Sequence, residues 1–64
     1  MTVNGVRKEV SAQMSLLDLL QQEGFLTERI AVERNGQIVP RSAYESTIIG
    51  PSDKLEVVSF VGGG

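Results

Sequence analysis

Sixty-four residues provide for one small domain with a single core, and 41% hydrophobic with 22% charged residues is a globular composition, not that of a disordered chain. Six basic against eight acidic residues give a net charge of −2, which argues against a protein whose affinity comes from neutralising nucleic-acid phosphates. The chain has no Cys and no His, so it offers no disulfide, no thiolate nucleophile, no Cys- or His-ligated metal and no imidazole base.

In chain order the first signal is Asn4-Gly5, set between Met1-Thr2-Val3 and the alternating run Val6-Arg7-Lys8-Glu9-Val10. Asn-Gly favours the type I′ turn, whose twist matches paired strands, and predicts a hairpin. A helix follows, predicted from about Leu16 to Glu23. Ser15 and Asp18 have capping-box spacing, Leu16, Leu19 and Leu20 form one stripe flanked by Leu17, and Asp18, Gln21 and Gln22 face away. Gly24 supplies the left-handed position after the helix, and Phe25 can fold back on its last turn. Two turns of helix cannot stand alone and must pack on a sheet.

A second hairpin is predicted from Ile30-Ala31-Val32-Glu33-Arg34, Asn35-Gly36 and Gln37-Ile38-Val39, ending at Pro40, which has no donor for a ladder. Ser42 and Glu45 repeat the capping-box spacing over a short helical turn carrying Tyr44. Gly50-Pro51-Ser52-Asp53 reads as a tight turn, and Lys54 to Val61 as a last strand. The order strand, strand, helix, strand, strand, short helix, strand makes a two-layer α+β domain. That order resembles the layout of the β-grasp, or ubiquitin-like, fold; periodicity gives the elements, and the topology, a mixed sheet of about five strands on one main helix, is what the resemblance implies. Residues 1–60 form the expected domain and 61–64 an expected flexible glycine-rich tail.

That tail, Val61-Gly62-Gly63-Gly64, closes the sequence. Glycine threads narrow channels and lets backbone approach a ligand closely, and a terminal glycine presents an unhindered carboxylate. Four extended residues reach roughly 13 Å, enough to enter a partner's active site. The only reactive group of such a tail is the Gly64 carboxylate, a poor electrophile until it is activated, and ATP-dependent adenylation is the natural first step. The chain has no phosphate-binding loop, so that machinery belongs to a partner. In the last strand, Glu56 facing solvent turns Leu55, Val57 and Ser59 inward and leaves Val58 and Phe60 on the outer face. Val58, Phe60 and Val61 beside the tail are candidate docking residues. No apolar run approaches the roughly 20 residues that cross a bilayer, and Met1-Thr2-Val3-Asn4 lacks the features of a signal peptide, so a cytoplasmic setting without membrane or nucleic-acid partners is expected.

Over essentially its whole length the sequence resembles the small sulfur carrier proteins of the ThiS type, from thiamin biosynthesis. The resemblance rests on Asn4-Gly5, the helix around Leu16-Leu17-Asp18-Leu19-Leu20, the segment Asn35-Gly36-Gln37-Ile38-Val39-Pro40-Arg41, the strand Leu55-Glu56-Val57-Val58 and the closing Val61-Gly62-Gly63-Gly64. At the last turn the family often has Gly-Asp where this chain has Ser52-Asp53. The resemblance implies a carrier and not an enzyme. A ubiquitin-activating-like adenylyltransferase uses ATP to convert the Gly64 carboxylate to an acyl-adenylate. A persulfide charged by a cysteine desulfurase displaces AMP and leaves a C-terminal thiocarboxylate, and thiazole synthase accepts the sulfur. Gly64 carries the sulfur, Gly63 and Gly62 allow passage into partner sites, and no catalytic residue, metal or bound cofactor is expected. Two alternatives remain at this point: a sulfur carrier of another pathway, such as the small subunit of molybdopterin synthase, and a ubiquitin-like interaction module with an inert tail.

Overall fold

A computed structural model of the chain describes residues 1–60; the expectations for Val61, Gly62, Gly63 and Gly64 lie outside the described residues. Five strands form one sheet in the order β2-β1-β5-β3-β4. They are β1 (Thr2–Val3), β2 (Val6–Arg7), β3 (Ile30–Arg34), β4 (Gln37–Val39) and β5 (Lys54–Ser59). β1 runs parallel to β5, and every other pair is antiparallel. Among the described residues there is one α-helix, α1 (Leu16–Gln22), whose Leu16, Leu19 and Leu20 enter the core with residues of the sheet. This is the expected β-grasp arrangement, with β5 in the middle of the sheet.

Both hairpins form on their Asn-Gly turns. Asn4 and Asn35 sit at φ 51° and 52°, and the glycines after them at 82° and 86°, the left-handed pairing that a type I′ turn requires. The helix is bounded as its sequence predicts. The Ser15 hydroxyl accepts the Asp18 N–H at 3.0 Å, and Gly24 takes φ 84°. The Gly24 N–H then donates to the Gln21 carbonyl at 3.1 Å and the Phe25 N–H to the Leu20 carbonyl at 3.0 Å, the two bonds of a Schellman closure. Leu16, Leu19 and Leu20 are fully buried. They pack with Met1, Val3, Ile30, Val32, Tyr44, Ile49, Leu55 and Val57 in one core.

Four expectations are corrected. The N-terminal hairpin is shorter than the run to Val10: only Thr2↔Arg7 and Val3↔Val6 pair. Lys8 closes the ladder with its N–H on the Met1 carbonyl at 2.9 Å, and its Nζ turns to Glu23 at the end of α1, 2.9 Å from Oε1. The Ser42–Glu45 capping box does not form. A 3-10 turn, Arg41–Ala43, starts instead from Pro40, whose side chain has no cap to offer; its end is tied by the Thr47 hydroxyl donating to the Ala43 carbonyl at 2.6 Å. β5 ends at Ser59, not Val61, although the Phe60 N–H still reaches the Arg29 carbonyl at 2.7 Å. Ser59, expected inside, is exposed. Its register partner is Ile30, the last pair of the β3–β5 ladder, where the sheet ends in an open cleft. A second 3-10 turn, Thr27–Arg29, had no sequence signal beyond the gap between Phe25 and β3.

Candidate functional site

The strand that leads to the glycine tail is paired on both of its edges. β5 pairs with β1 over two residues and with β3 over five. Both turn asparagines then extend these ladders with their side chains. Asn4 follows β1, and its carboxamide grips Val57 as one more strand residue would: Oδ1 accepts the Val57 N–H at 2.7 Å and Nδ2 donates to the Val57 carbonyl at 3.1 Å. On the other side Asn35 donates its own N–H to the Lys54 carbonyl at 2.8 Å, and its Oδ1 accepts the Lys54 N–H at 2.9 Å. Each Asn-Gly turn thus makes a hairpin and holds β5.

Asp53 locks the start of β5. Its carboxylate, about nine-tenths buried, accepts from Asn35 Nδ2 at 3.0 Å, from the Gly50 N–H at 2.8 Å and from Arg34 Nε at 3.0 Å. Burial pushes the carboxyl pKa up, but the donors from Asn35, Gly50 and Arg34 together with the Arg34 charge outweigh it, and the group is held below the ordinary carboxylate value. Burial raises the Tyr44 phenol above its ordinary value, against an opposing pull from the Arg41 charge.

At the other end of β5 lie the candidate docking residues. Leu55 and Val57 face the core, while Val58 points out of the sheet and is 60% exposed. Ala31 is opposite Val58, and Ile38 on β4 belongs to the same outer face through Glu33; Ile38 is 75% exposed. Phe60 is 56% exposed, but it stands past the end of the strand, where it lines an open cleft of about 230 Å³ with Phe25, Leu26, Ile30 and Ser59. The sequence treated Val58 and Phe60 as one alternating row. The structure puts Val58 and Ile38 on an outer sheet face that also carries Glu33 and Glu56, and Phe60 on the rim of the cleft where the chain leaves the sheet. Val61, the third docking candidate, and Gly62, Gly63 and Gly64 lie outside the described residues. A second cleft, about 270 Å³, opens at the opposite end of β5 between Met1, Arg7, Pro51 and Lys54.

Among the described residues no group of three or more acidic, His or Cys side chains could hold a metal ion, and no helix is long and apolar enough to cross a membrane. The Asn4 and Asn35 grips and the Asp53 hub were missed by the sequence reading. A polar residue directly before each turn glycine, and an Asp closing the turn before the last strand, were visible, but apart from Gly50, three residues before Asp53, their side-chain partners lie 18 to 53 residues away.

A family model described as the ThiS family matches residues 1–64. A thiazole synthase from Paramagnetospirillum magneticum is 42% identical over 64 residues, covering 100% of this chain and 20% of that protein. The chain therefore spans about one fifth of the length of that relative. An uncharacterized protein ycf40 from Pyropia yezoensis is 42% identical over 97% of this chain and 87% of its own length. The crystal structure of a thiamine biosynthesis protein (ThiS) from Geobacter metallireducens matches with a TM-score of 0.78 at 32% identity, covering 98% of this chain and 96% of that one.

Proposed function

The chain belongs to the ThiS family, and from that premise we propose that it is a sulfur carrier of thiamin biosynthesis, with the Gly64 carboxylate as its working group. A partner adenylyltransferase of the ubiquitin-activating type activates that carboxylate with ATP, expelling pyrophosphate. The outer sulfur of a persulfide then displaces AMP to form an acyl disulfide. A further thiol of the donor system cleaves its S–S bond, is itself oxidised to a disulfide and leaves the thiocarboxylate, and thiazole synthase takes the sulfur into its ring-forming reaction. The protein is a co-substrate of these enzymes and not itself a catalyst.

One observation carries the reading: a ThiS-family chain with neither Cys nor His runs from its central strand straight into Val61-Gly62-Gly63-Gly64. A carrier without a thiol must hold sulfur on the main chain, and a chain-terminal glycine is the least hindered place to do so. The tail has a roughly 13 Å reach, which lets the folded domain stay outside an active site while Gly64 enters it. Val58, Phe60 and Val61 are the docking residues beside it, with Gly62 and Gly63 as the part that passes through the partner's channel. The thiazole synthase of Paramagnetospirillum magneticum supports the acceptor, since a stretch similar to this chain occupies a fifth of that protein.

The test is intact mass of the chain, with Gly64 as its last residue, after incubation with an adenylyltransferase of this type, ATP and a persulfide source, then a thiol-alkylating reagent. Replacement of oxygen by sulfur nominally matches the mass of Met1 or Met14 oxidation, and alkylation removes that ambiguity because the chain contains no Cys. An ATP-dependent adduct at Gly64, lost when Gly63 and Gly64 are deleted, is the expected result. Absence of an adduct, with enzyme and donor active on a control carrier, refutes the reading and favours an interaction module with an inert tail.

A further inference from the structure

Asn4 and Asn35 are the chain's only asparagines, and each is followed by glycine. Asn-Gly is the dipeptide most prone to spontaneous deamidation, because no Cβ on the following residue hinders ring closure. In that reaction the glycine nitrogen, having lost its proton to solvent, attacks Cγ of the asparagine. The N–Cγ bond forms, the Cγ–Nδ2 bond breaks, and the nitrogen leaves as ammonia after taking a proton. Water then opens the succinimide to aspartate or isoaspartate. The sum is Asn plus water to Asp plus ammonia, with no change of oxidation state.

We propose that both Asn-Gly turns are latent deamidation sites that the fold holds shut through their grip on β5. Asn4, Gly5, Asn35 and Gly36 are all exposed, so water and base reach both turns freely. The restraint is the carboxamides' own bonding. Attack requires each carboxamide to swing toward the following nitrogen. That swing breaks two bonds at Asn4, at 2.7 and 3.1 Å to Val57, and two at Asn35, at 2.9 Å to Lys54 and 3.0 Å to Asp53. The reaction therefore runs from opened molecules.

The lesion is also one that the fold reads. The atom lost is Nδ2, and in both turns Nδ2 is a donor in use: to the Val57 carbonyl from Asn4, and to the Asp53 carboxylate from Asn35. Deamidation at Asn35 sets a second carboxylate against Asp53, where like charges repel, and deamidation at Asn4 sets one against a carbonyl oxygen. Isoaspartate additionally lengthens the backbone of a two-residue turn. Either product loosens the strand that bears the tail, so each opening carries a chance of irreversible loss.

The experiment incubates the wild-type chain at mildly alkaline pH, folded and in concentrated urea, and follows replacement of –NH2 by –OH at Asn4 and Asn35 by peptide mass mapping with isoaspartate detection. If reaction proceeds only from opened molecules, the folded chain deamidates slower by about a hundredfold or more, the population ratio of a marginally stable domain. Equal rates in the two conditions overturn the proposal. The second arm is Asn35→Asp, the product's direct mimic. It is expected to have a lower Tm than wild type at neutral pH and to regain part of the difference on acidification, as one of the facing carboxyls takes a proton. A wild-type Tm at neutral pH overturns the proposal at Asn35, and a variant that does not fold at neutral pH supports the repulsion argued here.

Discussion

Asp53→Asn changes one atom of a buried carboxylate and tests the hub on which β5 starts. Gly50 and Arg34 both donate to the same oxygen, Oδ2, at 2.8 and 3.0 Å, so the new amide must keep its oxygen there. Its –NH2 then meets Asn35 Nδ2, donor against donor. Asn35 cannot turn over to help, because its Oδ1 holds the Lys54 N–H. One partly buried hydrogen bond is lost with a donor left over, costing about 1–3 kcal/mol, and the two retained bonds lose their charge assistance. The Arg34 side chain is 38% exposed, so the ion pair itself adds less than about 1 kcal/mol. A total near 2–3 kcal/mol lowers Tm by roughly 10–20 °C in a domain of this size.

The pH dependence identifies the cause. A carboxyl whose native pKa is depressed contributes stability that is complete above its unfolded value, about 3.9, and is lost as pH falls through the lower native value. Urea or thermal unfolding of both chains should show a constant gap from about pH 7 to pH 5 that closes below about pH 4. The other carboxyls are common to both proteins and cancel. No gap at pH 7, or a gap that persists undiminished to about pH 2, refutes the charge-assisted account of Asp53.

Three further substitutions separate other parts of the argument. Asn4→Gly keeps the left-handed turn and removes the grip on Val57; a loss of about 1–2 kcal/mol is expected, with faster hydrogen exchange at the Val57 amide as the readout that separates the lost grip from the added backbone entropy of glycine. Ser15→Ala removes the N-cap of α1 and should cost about 1 kcal/mol by urea titration. Phe60→Asp, on a residue more than half exposed, should leave the circular dichroism spectrum and Tm near wild type while raising KM for adenylation by about tenfold, as loss of an apolar interface anchor does. Unchanged adenylation kinetics in the folded variant remove Phe60 from the docking surface.

Local chemistry was legible in the sequence to the extent that it closed within a few residues. The type I′ turns at Asn4 and Asn35, the Ser15 cap, the Gly24 closure and the leucine stripe each depend on neighbours no more than about five positions away, and each forms as read. The Ser42–Glu45 spacing failed because a cap needs a helix to begin there, and Pro40 starts a tighter turn two residues earlier. The expectation failed at Ser59 because the strand still pairs there, with Ile30, but opens onto a cleft where the core has ended, and at Phe60 because period two holds only while a ladder continues. The grips of Asn4 and Asn35 and the burial of Asp53 come from chain segments brought together only by the finished sheet. Those long-range polar contacts have no periodicity to betray them.

The parallel pairing of the first and last strands has a mechanical consequence. Tension applied between the start of β1 and the end of β5 drags two neighbouring strands past each other lengthwise, so the bonds joining them share the load. The Thr2 N–H on the Asp53 carbonyl, the Asn4 N–H on the Leu55 carbonyl and the two Asn4 side-chain bonds to Val57 must then rupture nearly together and not one after another, as in an unzipped hairpin. Under such tension a domain wired in this way yields by shear of β1 against β5 and not by peeling from one end.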